Sequence, residues 1–201
     1  MNKVISFAKL SGIIFPIIMI LQIAAAGFKV NNVIIGVIVN VLMSAVWITF
    51  FALLINACAK RSPVVTPCWI AIAAVSIDFI SGLINSYASY QIIQEDYDWS
   101  IISPLFTVSG AMFFVYSLAF AVAFIWLSRY FKKGSTLKAM SIIIAIVAIA
   151  LPIINMTVKP WNISDESTRN IAVLALAIFR YLIIYLPPTI FFLAFSKLKK
   201  S

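Results

Sequence analysis

Two charged residues interrupt long apolar runs of this 201-residue chain, and they are the side chains best suited to chemistry. Asp78 and Arg180 each lie within a hydrophobic segment, where one charge costs roughly 2.5–3.5 kcal/mol on an insertion scale. A carboxylate and a guanidinium at such depth can form a site for a transported ion or solute. They can equally form a buried ion pair that fixes the register of two helices. Both interpretations place the two side chains near the middle of a bilayer.

Polar residues follow Asp78 at helical spacing. Ser81, Gly82, Asn85 and Ser89 come three, four, seven and eleven positions later, which places them on one face of a helix. Other apolar runs add Gln22, Asn40, Ser44, Trp47, Tyr181 and Tyr185. We interpret the following residues as a candidate substrate-binding site in an outward-opening cavity lined by the first, second, third and sixth runs: Asp78, Arg180, Asn85, Ser81, Asn40 and Tyr181. The alternative is helix packing through small and polar residues, which we favour for Ser44 and Ser89.

Composition defines the elements that must position these residues. Of the chain, 64% is hydrophobic and only 10% is charged, with a mean hydropathy of +1.10. Soluble domains typically carry about 45–50% apolar and about 25% charged residues, so a soluble globule is excluded. We predict an all-α integral membrane protein that forms one polytopic domain over residues 1–201. Its six transmembrane helices should span about 4–28, 33–57, 68–93, 101–131, 137–158 and 169–195.

Three details of these runs carry separate expectations. Pro104 falls in the first turn of the fourth run, where proline is tolerated, and Pro187-Pro188 should bend or break the sixth. Ser164 is a candidate cap for the sixth helix. The spacing of Ala8 and Gly12 permits close contact between two helices.

The Lys and Arg residues predict an orientation. With six spans, one side carries ten of them: Lys3, Lys60, Arg61, Arg129, Lys132, Lys133, Lys138, Lys197, Lys199 and Lys200. The other side carries three: Lys29, Lys159 and Arg169. The positive-inside rule therefore places both termini in the cytoplasm of a multi-pass cell (inner) membrane protein. The basic cytoplasmic loops are also suited to anionic lipid headgroups.

The start of the chain has a second interpretation. Lys3 and Lys9, an apolar core and the triplet at 24–26 resemble a secretory signal with an A-x-A cleavage site. Cleavage there would leave five spans with the same orientation. We expect the segment to be retained as a first helix.

Several chemistries are excluded by residue type. The net charge of +9 is explained by membrane orientation, so we expect no nucleic-acid partner, and we expect no metal or other cofactor. Cys58 and Cys68 lack a metal-binding or CxxC spacing. The segment from Thr107 to Phe113 resembles the GxSGA segment of rhomboid intramembrane proteases, which implies Ser109 as nucleophile. The first Gly is Thr107 here, and the chain contains no His to complete the serine–histidine dyad, so we expect no enzyme activity.

Three functions from different classes remain, of which an intramembrane enzyme that acts on lipid or peptide is the least favoured. The first is transport: a carrier, a channel or a membrane subunit that binds the substrate of a larger transporter. In its size, six helices and inside termini the chain looks like the substrate-binding subunits of energy-coupling-factor vitamin transporters. The second is a non-transporting membrane partner, such as an assembly factor, an immunity protein or a subunit of a complex with another membrane protein or with itself. Transport is our leading hypothesis.

Overall fold

Six α-helices make up this protein in its computed structural model, which describes residues 1–27, 32–59, 62–93, 97–157 and 166–198. No strand occurs within those ranges. The helices are α1 (Asn2–Gly27), α2 (Asn32–Ala57), α3 (Val65–Ile93), α4 (Trp99–Ser128), α5 (Thr136–Thr157) and α6 (Glu166–Ser196). Each contains an apolar stretch of at least 19 residues, and at 1.5 Å per residue this is about the ~30 Å thickness of a hydrocarbon core. All six are therefore long and apolar enough to cross a membrane.

The helices form a closed ring in chain order. Each one packs against its neighbours in sequence, and α6 closes the ring by packing against α1. In the part of the chain that the structure describes, no Cα atoms of non-neighbouring helices approach within 8 Å. Because the connections have only four to eight residues (28–31 and 158–165 are the extremes), successive helices run in opposite directions. Met1 and Leu198 accordingly line one pocket with Cys58 and Lys132, and we call this the terminal end of the ring.

Aromatic side chains fill the interior of the helix bundle in the half nearer the terminal end. The ring centroid of Trp47 lies 5.6 Å from that of Phe51, on which it stacks, and 4.8 Å from that of Phe192. Trp47 also contacts Phe120 and Phe124 edge to face. Together with further rings these residues form what we call the aromatic plug: Phe15, Trp47, Phe50, Phe51, Phe120, Phe124, Phe191 and Phe192. Every ring of the plug is buried. The plug therefore connects α1, α2, α4 and α6 through side chains, although some of these helices do not touch through their backbones.

Close approach of α1 and α6 depends on small residues. Ala8 is completely buried. A Cβ atom added at Gly12 would lie only 2.7 Å from Cδ2 of Leu193 and 3.4 Å from its backbone nitrogen. The spacing of Ala8 and Gly12 thus marks a real packing face, and the partner of that face is α6.

The outer surface of the ring is apolar. Large aliphatic side chains such as Ile20, Ile101 and Ile171 are more than 60% exposed. In water this exposure would be unfavourable, whereas lipid chains cover such side chains at no cost. The exposed surface is therefore consistent with a multi-pass membrane protein.

The structure changes two expectations about helix ends and prolines. Helix α4 begins earlier than the apolar run, because the Asp98 side chain accepts a 2.8 Å hydrogen bond from the Ser100 N–H and caps the helix. Pro104 therefore lies in the second turn rather than the first. Helix α6 is not broken by Pro187-Pro188 but continues to Ser196, where the buried Phe191, Phe192 and Phe195 hold its last turns in the core.

Other predictions fall on residues outside the described ranges. These are the Ser164 cap and the charges at Lys29, Lys60, Arg61, Lys159, Lys199 and Lys200. The side chains of residues 24–26 and of Arg169 are likewise not all described, and the possible cleavage site there stays a prediction.

Candidate functional site

Asp78 and Arg180 project from the middle of α3 and α6, two helices that are not neighbours in the ring. Among the described residues no nitrogen–oxygen contact of 4.0 Å or less joins Arg180 to a carboxylate. The two side chains nevertheless line the same space, because both belong to each of two adjoining chambers. The structure thus brings the two charges together across the ring without pairing them.

We call these two chambers together the polar cavity. The first lies between α3 and α4, and the second lies in the centre of the ring and extends to α2. Each has a volume of about 340 Å³. They share five lining residues: Asp78, Gly82, Asn85, Phe113 and Arg180. Since ligand pockets typically measure about 300–1,000 Å³, the cavity has room for a small solute.

Both charged groups have access to this space. Within the described residues, no fully buried side-chain nitrogen or oxygen lacks a hydrogen-bond partner. The Asp78 carboxylate and the Arg180 guanidinium have no hydrogen-bond partner in those same ranges, so their polar atoms must face the open cavity. A charge in this position is available to a ligand or to water.

The aromatic plug lies on the terminal side of the polar cavity, and an exposed wall residue lies toward the opposite end. Trp47 lines the central chamber and is also the centre of the aromatic plug, so the plug forms the cavity floor. Asn85 lies seven residues beyond Asp78, about 10 Å further from the terminal end along α3, and its side chain is exposed. Gly110 is exposed nearer mid-helix, beside the Ser109 that is bonded to Ser81. On the terminal side the central chamber therefore meets buried aromatic rings, whereas its wall is exposed at Asn85 on the opposite side.

Hydrogen bonds between helices hold the polar wall in place. Ser81 Oγ donates to the Ser109 carbonyl at 2.9 Å, and Ser109 Oγ donates to the Ser81 carbonyl at 3.1 Å. On the other side, Asn40 Nδ2 donates to the Phe79 carbonyl at 3.0 Å. Ser81, Ser109 and Asn40 thus join α3 to α4 and to α2 while also lining the cavity. Ser109 is occupied in packing, and this arrangement gives it no proton acceptor other than a backbone carbonyl or another serine.

Gly82 permits the close approach of α2 and α3. A Cβ atom at this position would overlap the amide group of Asn40. The absence of a side chain therefore gives Asn40 the room to reach Phe79, and it also keeps the space between the two chambers open.

The predicted site residues are distributed as follows. Asp78, Asn85 and Arg180 line both chambers, Ser81 lines the first and Asn40 lines the second. Tyr181 lines neither chamber. It packs beside the aromatic core, with its ring centroid 6.2 Å from that of Tyr185, and Tyr185 is the tyrosine of α6 that lines the cavity. The reason is helical geometry, since consecutive residues point about 100° apart and Arg180 takes the direction of the cavity.

The wall of the cavity also differs from the expected set of helices. No residue of α1 lines either chamber, and Gln22 is absent from the wall. Helix α4 takes its place with Phe106, Ser109, Phe113 and Tyr116. This follows from the ring order, in which α4 packs on α3 while α1 contributes Phe15 to the plug. The available signal was Ser109, a small polar residue whose hydrogen bonds with Ser81 join α3 to α4.

Metal-ligating groups, the two cysteines and the exposed Asp98 are the other candidates for chemistry. Over the described ranges, no group of three or more His, Cys, Asp or Glu residues could hold a metal ion. Cys58 and Cys68 are free cysteines, and Cys68 is buried. Outside the helices, hydrogen bonds from the Ser100 N–H and hydroxyl hold the pKa of the Asp98 carboxyl below its usual value.

Comparison with known proteins gives no match for this chain among family models, curated proteins or solved structures.

Proposed function

We propose that this protein is a transport-type membrane protein that binds a small polar solute in the polar cavity. One observation carries the proposal: Asp78 and Arg180 face one cavity at mid-helix and do not pair with each other. Each charge costs roughly 2.5–3.5 kcal/mol within a bilayer, and an ion pair would offset part of this cost. Two charges left open to the same space are explained by a ligand that contacts them.

The aromatic plug favours a carrier or a substrate-binding subunit over a channel. An open channel needs a continuous path, whereas Trp47 and its neighbouring rings are buried and packed together on the terminal side of the cavity. A site near the bilayer midplane that is accessible from one side at a time is the usual arrangement in secondary transporters. In this proposal the plug must move, or a partner subunit must move it, before solute passes.

The orientation is part of the proposal. The Lys and Arg bias assigns the terminal end to the cytoplasm and the open end of the cavity to the outside of the cell membrane. The cavity would then capture solute from outside. The cytoplasmic cations, among them Arg129, Lys132 and Lys133, would contact anionic lipid headgroups.

Two measurements test the proposal. Native mass spectrometry of the protein purified in mild detergent should reveal a retained small molecule in the wild type, and Asp78→Asn should lose it while remaining folded. A stoichiometric protein partner together with an empty cavity would instead favour the complex-subunit function.

The second measurement is cavity access. In a Cys58→Ser/Cys68→Ser background, Asn85→Cys should react with an impermeant thiol reagent added to the outside of intact cells. Ala88→Cys is the matched control, because Ala88 lies three residues further along α3 and is completely buried. Equal reactivity at the two positions, or none at Asn85→Cys, would count against an outward-facing cavity.

A further inference from the structure

The charges of the cavity wall indicate the class of its solute. Asp78 and Arg180 are the charged residues among those that line the two chambers, so their formal charges, −1 and +1, sum to zero. A solute with one net charge would contact one partner and leave the other buried and uncompensated, which is costly. A solute that carries both signs satisfies both residues at once.

The separation of the two charges also fits a solute that carries both signs. Helices α3 and α6 lie across the ring from each other, and their Cα atoms do not approach within 8 Å over the described ranges. No nitrogen–oxygen contact of 4.0 Å or less joins the two side chains in the described ranges, and both line the same two chambers. A guanidinium binds a carboxylate through two parallel hydrogen bonds, and a carboxylate accepts hydrogen bonds from an ammonium group.

The rest of the wall sets the size and polarity of the solute. Each chamber measures about 340 Å³, at the low end of ligand pockets. Phe106 and Phe113 add apolar surface beside the charges, whereas Asn40 and Asn85 add neutral hydrogen-bonding groups. This combination suits a molecule with two charged groups on a short carbon skeleton.

We propose that the solute is a small zwitterion of the free amino acid type, whose carboxylate binds Arg180 and whose ammonium group binds Asp78. The inference rests on the proposed function and names the substrate class of that site. Such a solute accounts for two opposite charges that face one cavity without pairing with each other.

The test uses matched probes and measures how strongly each protects Ser86→Cys, a position in the wall of the central chamber, from thiol labelling in the purified full-length chain without Cys58 and Cys68. L-alanine is compared with propionate and ethylamine, and L-phenylalanine with 3-phenylpropionate and phenethylamine. The members of each set share the same side chain, and each analogue lacks one of the two charged groups of the amino acid. We expect at least one amino acid to protect, and its two singly charged analogues to need at least tenfold higher concentration.

Charge variants provide the second arm. Asp78→Asn leaves a wall of charge +1 and should shift the preference tenfold or more toward the carboxylate analogue. Arg180→Gln leaves a wall of charge −1 and should shift it toward the amine. A misfolded cavity would weaken all probes and could not produce opposite preferences. Arg129→Gln is the control, because this exposed cation lies outside the cavity and its removal should leave the wild-type pattern.

The outcomes separate the inference from the function on which it rests. Stronger protection by a singly charged analogue than by the amino acid, or no protection by any of the six probes, overturns the zwitterion proposal. If Asn85→Cys is nevertheless accessible and a solute of another class co-purifies, the cavity remains a binding site. An unlabelled Asn85→Cys and an empty wild-type protein overturn the transport function itself.

Discussion

Replacing Gly82 by Ala tests how the polar cavity is built. A Cβ atom at Gly82 overlaps the Asn40 amide, so Asn40 must move and lose its 3.0 Å hydrogen bond to the Phe79 carbonyl. Interhelical hydrogen bonds in membrane proteins contribute on average about 0.6 kcal/mol and at most about 1.7 kcal/mol. Overpacking adds roughly 1–3 kcal/mol, and the better helix propensity of Ala returns about 0.5–1 kcal/mol. With the average hydrogen-bond value, we therefore expect a net destabilisation of about 1–3 kcal/mol.

The decisive measurement is a double-mutant cycle with Asn40→Ala. Without the Asn40 amide the methyl group at position 82 has room, so Gly82→Ala should become neutral or stabilising by about 0.5–1 kcal/mol. If Asn40→Ala alone costs about 1 kcal/mol, the coupling energy should be about −2 kcal/mol, within the range found for residues in contact. Gly36→Ala is the matched control, because nothing lies within 4 Å of a Cβ atom added there, and it should not destabilise.

Titration with SDS in mixed micelles, followed by far-UV circular dichroism, gives the free energy of unfolding of each variant. The four values of the cycle should differ from additivity by well over 0.5 kcal/mol. Additive effects of the two substitutions would refute the contact between Gly82 and Asn40, and with it the account of how α2 and α3 shape the central chamber.

Two further predictions concern helix contacts and helix ends. Gly12→Val should destabilise the α1–α6 contact by about 1–3 kcal/mol, because even a Cβ atom would lie 2.7 Å from Leu193 Cδ2. In SDS titrations, adding Leu193→Ala should restore part of the stability that Gly12→Val removes. A Gly12→Val variant as stable as the wild type would contradict this packing. Asp98→Ala should weaken the start of α4, whereas Asp98→Asn should retain the cap, since Asn accepts the same hydrogen bonds. Because the folded-state pKa of Asp98 is lowered, its stabilisation is complete above the unfolded-state pKa of about 3.9 and is lost as pH falls through the lower folded value. Unfolding midpoints of the wild type and Asp98→Asn between about pH 2 and 6 should therefore diverge only at the acidic end, and parallel curves would argue against the cap.

Much of the fold follows from local composition. A run of about 20 apolar residues in lipid must satisfy its own backbone hydrogen bonds, and a helix is the way to do so within one segment. The six runs therefore became six helices, and short connections made them antiparallel. Asp78, Ser81 and Asn85 share a face because of helical periodicity alone, which is why the sequence could place them together.

The order of helices around the ring is a tertiary property. Hydropathy is nearly the same on every side of these helices, so it cannot indicate which helix packs against which. Ring closure placed α4 in the cavity wall instead of α1, with Ser109 bonded to Ser81. It also placed Tyr185 rather than Tyr181 at the cavity.

The relation between the two central charges was likewise decided by packing. The sequence determined that Asp78 and Arg180 lie at similar depth, because depth depends only on distance along each helix. Whether they pair depends on the positions of α3 and α6 around the ring, and those positions are set by the aromatic plug and the small residues at the helix contacts. The sequence by itself thus determined six apolar helices with two charges at mid-depth, and only the tertiary structure decided that those charges face one cavity unpaired.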